Sequence, residues 1–376
     1  MVVTLNKAAR EDALGRYSQK IVDQLRKFGT HLSFSVTQRC PLECDHCITN
    51  SRPSNNKALD LSDDLVDRIC SQLGDVRGLV RQLSLTGGEP FLRTDIMQRI
   101  AAIGTKNSMH VGAVTSGYWA TSSKAANFFL KKIPDVQHLT MSYDVYHGRY
   151  ISEECVKTFV EASEQHRKTC SIRVSIKSNP DTEEADLFNE LTDHYGELVH
   201  KQEIVPFGRA VDIVDDQSSF SEAPSLPCLS SGPHIYYNGN SVPCCSALRP
   251  NIEKDHPLNL GNISEFSLKE LISSANKNHL LNLIRLYGFD RIHAEIVTSH
   301  EGSENRLTRI HSDSQCSYCA KIMHNPAYVR TLKNVLFNGD TEVQVAYQRF
   351  LFDGNDEALQ VVIERLRNSN PDVAVA

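Results

Sequence analysis

The sequence predicts an α/β fold: a partial (β/α)6 barrel of parallel strands, followed by a smaller cysteine-rich domain and by C-terminal helices. Three observations predict this arrangement. From residue 31 to about 210, six short strand-like runs alternate with helical stretches, which is the pattern of consecutive strand–helix units. Polar and apolar residues alternate along several strands, and a second group of cysteines follows a linker rich in Ser, Pro and acidic residues.

The predicted strands are, in chain order, HLSFSVT, QLSLT, HVGAVTS, VQHLTMSYD, CSIRVSIKS and KQEIVPF. The stretches between them are predicted helices, of which SDDLVDRICSQLG has the clearest signals. Ser62 is a favourable N-cap, and two acidic residues follow it in the first turn. Leu65, Ile69 and Leu73 recur at helical spacing. Gly74 is a natural end for this helix.

The alternation within the strands predicts two different faces for the sheet. In the first strand Leu32, Phe34 and Val36 alternate with small polar residues. The fourth and fifth strands repeat the pattern, whereas strands covered on both faces are usually continuously apolar. We therefore expect one face to pack under helices and the other to line a polar, open lumen.

Composition limits the class of protein. The chain has 376 residues, enough for about two domains, and its 40% apolar and 23% charged residues are typical of globular proteins. A net charge of −6 argues against a nucleic-acid partner. No apolar run resembles a signal peptide or a membrane span, so we expect no membrane association and a cytoplasmic location. Eleven cysteines in that compartment indicate metal ligands or redox groups.

The first cysteine group follows the first strand as Cys40-x3-Cys44-x2-Cys47. Three thiolates cannot complete a structural zinc site, for which four ligands are the rule. They can hold three irons of a [4Fe–4S] cluster, whose fourth iron then keeps an open position for a small ligand.

This spacing resembles the signature of the radical S-adenosylmethionine (radical SAM) superfamily. The second strand ends in Gly87-Gly88-Glu89-Pro90, which is similar to the motif with which the family binds the amino group of the methionine. Glycines allow close approach of the backbone, and a carboxylate accepts hydrogen bonds from an ammonium group. The resemblance implies a [4Fe–4S] cluster with an open iron and bound S-adenosylmethionine.

Three further polar residues match positions that family members use toward this ligand. Ser116 lies at the end of the third predicted strand, in VTSG, and Ser142 and Asp144 lie at the end of the fourth, in MSYDVYH. Asp144 is equally compatible with a turn at the strand end. The segment VPFGRA, residues 205 to 210, resembles the end of the sixth strand in relatives with C-terminal cluster domains.

The second cysteine group comprises Cys228, Cys244, Cys316 and Cys319. Spacing alone favours a four-cysteine zinc site. After a radical SAM core, however, the group resembles a SPASM or Twitch domain, and this resemblance favours an auxiliary cluster. The full SPASM form needs more than the five cysteines present here, so we predict a shortened, Twitch-like domain with one auxiliary [4Fe–4S] cluster. Cys245 either replaces Cys244 as a ligand or is a free thiol.

The predicted domains are a helical extension (1–30), the partial barrel (31–212), the auxiliary domain (213–324) and a C-terminal helical extension (325–376). The resemblance implies reductive cleavage of S-adenosylmethionine to a 5′-deoxyadenosyl radical, with an electron donor such as a flavodoxin or ferredoxin. We expect modification or crosslinking of a ribosomally made peptide, with dehydrogenation or epimerisation of a sugar or aminocyclitol as the alternative. A metal-binding protein without turnover would leave the two motifs unexplained.

Overall fold

The computed structural model describes residues 29–214, 228, 230, 232–244, 250–300 and 315–336. Cys245, nearly all of the N-terminal extension and most of the C-terminal extension lie outside the described residues, as does most of the linker after residue 214. The boundaries of the four predicted domains stay predictions.

Within the described residues the strands form one nine-stranded sheet in the order β6-β5-β4-β3-β2-β1-β7-β8-β9. Its first six strands are β1 (His31–Thr37), β2 (Gln82–Gly87), β3 (His110–Thr115), β4 (His138–Ser142), β5 (Thr169–Ile176) and β6 (Val199–Glu203). All neighbours among these six are parallel. The last three strands are β7 (His234–Ile235), β8 (Asn240–Val242) and β9 (Gly261–Asn262). The predicted α/β class is confirmed, with β6 forming one edge of the sheet.

Helices connect the parallel strands and continue into the C-terminal part. The helices between strands are α1 (Asp63–Gln72), α2 (Thr94–Lys106), α3 (Ser123–Leu130), α4 (Val145–Gly148), α5 (Glu154–Gln165) and α6 (Thr182–Tyr195). The later helices are α7 (Leu268–Lys277), α8 (His279–Tyr287), α9 (Asp290–His300), α10 (Gln315–Met323) and α11 (Pro326–Leu336). None of the helices in the described part of the chain is long and apolar enough to cross a bilayer.

The predicted start of α1 is confirmed, because the Ser62 hydroxyl accepts a hydrogen bond from the backbone of Leu65. The predicted sixth strand was wrong in extent, because it ends at Glu203 rather than Phe207. Farther along the chain, α7 and α8 are divided at Asn278, whose side chain caps α8 through the Leu281 backbone while donating to the Pro257 carbonyl. A side chain that caps a new helix competes with continuation of the old one.

The strands have one apolar and one polar face, as predicted, but the polar face is less exposed to solvent than expected. Leu32, Phe34 and Val36 are buried under the helices. On the opposite face, Thr140 and Ser171 are buried as well, and their hydroxyl groups are 3.0 Å apart. His138 lies 3.2 Å from both hydroxyls. These polar groups are buried only because they hydrogen-bond to one another.

The sheet continues from the barrel into the C-terminal part, which the sequence did not predict. Strand β7 pairs with β1 in parallel, and β8 and β9 follow it antiparallel. The buried His234 ring bridges two side chains of β1, with Ser33 at 2.7 Å from one ring nitrogen and Ser35 at 2.9 Å from the other. Burial lowers the pKa of His234 to about 3. A neutral histidine therefore fastens the C-terminal hairpin to the first strand.

A close backbone approach joins β2 to the loop that follows β1. The Gly88 N–H donates to the Thr37 carbonyl at 2.7 Å, and the Glu89 N–H donates to the Arg39 carbonyl at 2.8 Å. A Cβ atom on Gly88 would lie 2.2 Å from the Arg39 carbonyl oxygen. Gly87 has a φ of +135° and a comparable clash with Thr37. Both glycines are required by the neighbouring backbone.

We predict that Gly88→Ala destabilises the chain, because the new methyl group must push the Arg39 backbone away. Overpacking of this kind costs about 1–3 kcal/mol. The measurement is the urea midpoint of the iron-free chain, compared with that of Gly74→Ala as a matched control. A Cβ on Gly74 makes only an ordinary contact, at 3.6 Å from Asn107. Equal midpoints for the two variants would contradict the role given to the close approach.

Candidate active site

The loop 40–47 brings three thiols together directly after β1. Cys44 is buried, and Cys40 and Cys47 are partly buried. Burial, together with the charges of Asp144 and Cys47, raises the pKa of the Cys44 thiol to about 12. Burial, Glu89 and the two neighbouring thiols likewise raise the pKa of Cys40. Three thiolates in this position are unfavourable unless a cationic group offsets their charge.

The donor set fits a polynuclear iron cluster better than a single ion. In the described residues, the group whose ligand atoms all lie within 4.8 Å of one another is His46, Asp144 and His147. No three cysteines there meet this spacing, whereas a tetrahedral zinc with 2.3 Å bonds requires sulfur atoms about 3.8 Å apart. A cluster holds its cysteine sulfurs farther apart, since each binds a different iron.

Glu89 lies at the carboxyl end of β2 and is completely buried. Its carboxylate accepts four hydrogen bonds, from the Phe91 backbone, the Thr115 hydroxyl and both the backbone and hydroxyl of Ser116. Burial nevertheless raises the pKa of Glu89. An ionised carboxylate has about four acceptor positions, and protein donors occupy that number here. A contact between this side chain and the methionine amino group stays a prediction and requires one donor to be displaced.

Of the predicted residues at the ends of β2, β3 and β4, Ser116 contacts Glu89 directly, whereas Ser142 is described by its strand pairing. The Ser116 hydroxyl donates a hydrogen bond to the Glu89 carboxylate. Pro90 is the first residue of a short 3-10 helix, Pro90–Arg93, whose N-cap is Glu89. Ser142 ends β4 and pairs in register with Arg173 of β5. Contacts of Ser116 and Ser142 with a ligand are untested and stay predictions.

Asp144 caps α4 and holds two histidine rings. One carboxylate oxygen accepts hydrogen bonds from the Tyr146 and His147 backbones and lies 2.9 Å from His147 Nδ1. The other oxygen lies 3.3 Å from His46 Nε2. Burial acts to raise the pKa of Asp144, but His147 and His46 outweigh it and hold the pKa well below its usual range. A contact of Asp144 with S-adenosylmethionine stays a prediction.

Sequence reasoning missed His46 and Asp60. The His46 ring stacks on Tyr146 at 4.7 Å, and its Nδ1 atom is buried without a hydrogen-bond partner. The position of His46 between Cys44 and Cys47 could have marked it as a candidate site residue. Asp60 accepts hydrogen bonds from Thr37, Arg39 and Arg93 and thereby fixes the entry to the cysteine loop. No local pattern marks Asp60, because its partners come from two other segments.

The structure also assembles the second cysteine group. Burial raises the pKa of Cys319 well above its usual value, and the charges of Cys244, Cys228 and Cys316 add to the rise. The four predicted ligands are therefore close enough to influence one another, although they are separated by up to 91 positions (319 − 228). The alternative ligand Cys245 lies outside the described residues.

Comparisons with solved structures give low similarity. The structure described as "Native anSMEcpe with bound AdoMet" has a TM-score of 0.49 and 13% identity, covering 82% of this chain and 99% of that chain. That of BtrN in complex with AdoMet and 2-DOIA has a TM-score of 0.36 and 12% identity, covering 76% of this chain and 97% of that chain.

Two relatives illustrate the sequence similarities. YydG of Bacillus subtilis (strain 168), named for peptide biosynthesis, is 23% identical over 266 residues, which are 69% of this chain and 81% of that protein. A GTP 3′,8-cyclase of Nitrobacter hamburgensis is 31% identical over 129 residues, which are 34% of this chain and 36% of the cyclase.

Two family models match the chain in succession. Residues 34–188 match the radical SAM superfamily, and residues 228–320 match SPASM, an iron–sulfur cluster-binding domain. The first domain implies a [4Fe–4S] cluster and S-adenosylmethionine, and the second implies auxiliary iron–sulfur clusters. The order of the two domains along the chain agrees with that of the two cysteine groups. The chain therefore contains a radical SAM domain followed by a SPASM domain.

Proposed function

We propose that this chain is a radical SAM enzyme that modifies or crosslinks a ribosomally synthesised peptide. The observation that supports the peptide is the similarity to YydG, which extends over 266 residues and therefore beyond the 155 residues, 34 to 188, of the radical SAM match. The cyclase similarity covers only about a third of the chain. A common radical SAM core, without a common substrate, would be enough to explain this shorter match to the cyclase.

In this proposal Cys40, Cys44 and Cys47 hold the cluster, and the polar residues at the carboxyl ends of the strands hold the cosubstrate. The bound group would supply a 5′-deoxyadenosyl radical, formed when one electron cleaves S-adenosylmethionine, and this radical would abstract a substrate hydrogen atom. The electron would come from a flavodoxin- or ferredoxin-type donor. The protein's contribution is to orient the reactants and to exclude competing reactions.

The contacts of the buried site residues support this role of the protein in orienting the reactants. The Glu89 carboxylate fixes the end of β3 through Ser116, and Asp144 fixes α4 and the His46 ring. The Phe91 and Trp119 rings stack at 4.5 Å, and the Trp119 ring donates a hydrogen bond to Thr115, which is itself a donor to Glu89. A reactive radical requires such a preorganised, water-poor environment.

We predict that Cys40→Ala, Cys44→Ala and Cys47→Ala each abolish formation of 5′-deoxyadenosine, because two thiolates do not hold the cluster. Liquid chromatography of reduced, reconstituted protein with S-adenosylmethionine measures the product. Cys70→Ala is the control, since Cys70 lies on α1 and bonds only weakly to the Arg99 carbonyl at 3.7 Å. Circular dichroism of the iron-free chains verifies folding. Undiminished product from the Cys44 variant would refute the assignment.

We predict about eight irons per chain after anaerobic reconstitution, if each cysteine group binds one [4Fe–4S] cluster. Replacing Cys316 and Cys319 together by Ala should reduce this to about four irons. Elemental analysis measures iron and zinc on the same sample. About four irons with one zinc in the unaltered chain would show that the second group is a zinc site, and about twelve irons would show two auxiliary clusters.

The substrate class is tested with the products of short reading frames that neighbour the gene. We expect one such peptide to stimulate 5′-deoxyadenosine formation and to change mass by loss of hydrogen or by another defined increment, as seen by mass spectrometry. The control is the same peptide in scrambled order. Stimulation by a sugar or aminocyclitol, with none by any neighbouring peptide, would favour the small-molecule alternative.

A further inference from the structure

The segment 205–210 separates the two cysteine groups. On one side, Val205 and Phe207 form a small apolar cluster with Ala320, against which Cys244 and Cys319 pack. Ile48, the residue directly after Cys47, packs on the same cluster. The segment therefore forms a common wall between the two sites.

Gly208 and Arg209 contact the cysteine loop on the other side of this wall. A Cβ atom on Gly208, whose φ is +56°, would lie 2.4 Å from the Cys47 carbonyl oxygen. The Arg209 N–H donates to that oxygen at 3.0 Å. Its guanidinium donates to the Cys44 carbonyl at 2.9 Å and to the Ser51 carbonyl at 2.8 Å. One residue thus holds the loop 40–47 at two points by hydrogen bonds and the segment just after it at a third.

The charge of Arg209 is not used in an ion pair. Among the described residues no carboxylate lies within ion-pair distance of its guanidinium, and its Nη1 atom is buried without a hydrogen-bond partner. The two acceptors of the guanidinium are neutral carbonyl groups, which leave its full positive charge beside the cysteine loop. A cation in a partly buried position acts more strongly on nearby charge than one in water.

We propose that Arg209 is a positioning residue for the loop 40–47 and that its charge raises the reduction potential of the cluster on this loop. The inference rests on the proposed function, in which Cys40, Cys44 and Cys47 hold that cluster. The reduced cluster has gained one electron, from a flavodoxin- or ferredoxin-type donor, and carries one more negative charge than the oxidised one. A neighbouring cation therefore stabilises the reduced state, since net charge and hydrogen bonds near the cluster set its potential.

Two variants separate charge from geometry. Arg209→Lys keeps the positive charge but loses the forked hydrogen bonds, and Arg209→Gln loses both. Arg52→Gln is the matched control, because Arg52 is a cation near the end of the same loop but is 61% exposed and lies 3.8 Å from Glu43. Its side chain makes no buried contact comparable to that of Arg209.

The experiment is a redox titration followed by electron paramagnetic resonance, with dithionite as reductant. The signal that changes when S-adenosylmethionine is added reports the cluster with the open iron. For Arg209→Gln we expect the ratio of reduced to oxidised cluster at a fixed potential to fall about tenfold, which is about 59 mV for one electron. Arg209→Lys should shift this ratio by less than half as much on a logarithmic scale, and Arg52→Gln should leave it unchanged. An unchanged ratio in Arg209→Gln, or an equal shift in Arg52→Gln, overturns the proposed effect on potential.

Amide hydrogen exchange of the full reconstituted chain tests the positioning role independently. Residues 44–51 should exchange faster in both Arg209 variants and at the original rate in Arg52→Gln. Unchanged exchange in both Arg209 variants overturns that role. An unaltered chain that shows no signal responsive to S-adenosylmethionine would refute the proposed function and the effect on potential together, whereas the exchange result still decides the positioning role.

Discussion

The candidate site depends on one close approach between backbones, where the turn after β2 meets the segment after β1. Two hydrogen bonds, from Gly88 to Thr37 and from Glu89 to Arg39, join the glycine motif to the residue that precedes Cys40. A side chain on either glycine would collide with this segment. The cysteine loop and the glycine motif are therefore parts of one rigid unit, and the position of each depends on the other.

Buried carboxylates extend this unit across the carboxyl ends of the strands. Asp60 fixes the start of the cysteine loop through Arg39, Glu89 joins β2 to β3, and Asp144 joins α4 to the His46 ring. Each acid is almost fully buried, and each is stabilised by hydrogen bonds or by charged partners. Both carboxylate oxygens of Asp60 and of Glu89 accept hydrogen bonds, and buried polar groups satisfied in this way restrict a site to one arrangement. Such restriction suits a site that must direct a reactive species at one atom.

The C-terminal part is attached to the same framework at two places. Strand β7 extends the barrel sheet next to β1, with the His234 ring inserted between Ser33 and Ser35. The apolar cluster around Phe207 places two cysteines of the SPASM domain against Ile48, beside Cys47. The two cysteine groups are consequently held in a fixed spatial relation by side-chain packing, and the segment 205–210 is the part of the chain that touches both.

The sequence by itself determined the class of fold, the parallel strand order of the core and the two cysteine groups, because these depend on local periodicity and short spacings. Alternation along β1 and the Ser62 cap of α1 are properties of neighbouring residues. Only the tertiary structure decided what the polar groups do. Gly88 faces the Arg39 backbone, Glu89 accepts hydrogen bonds from residues at the end of β3, and His234 joins β7 to β1 across 201 positions of sequence. These pairings are set by chain segments that meet only after folding, so no local pattern in the sequence encodes them.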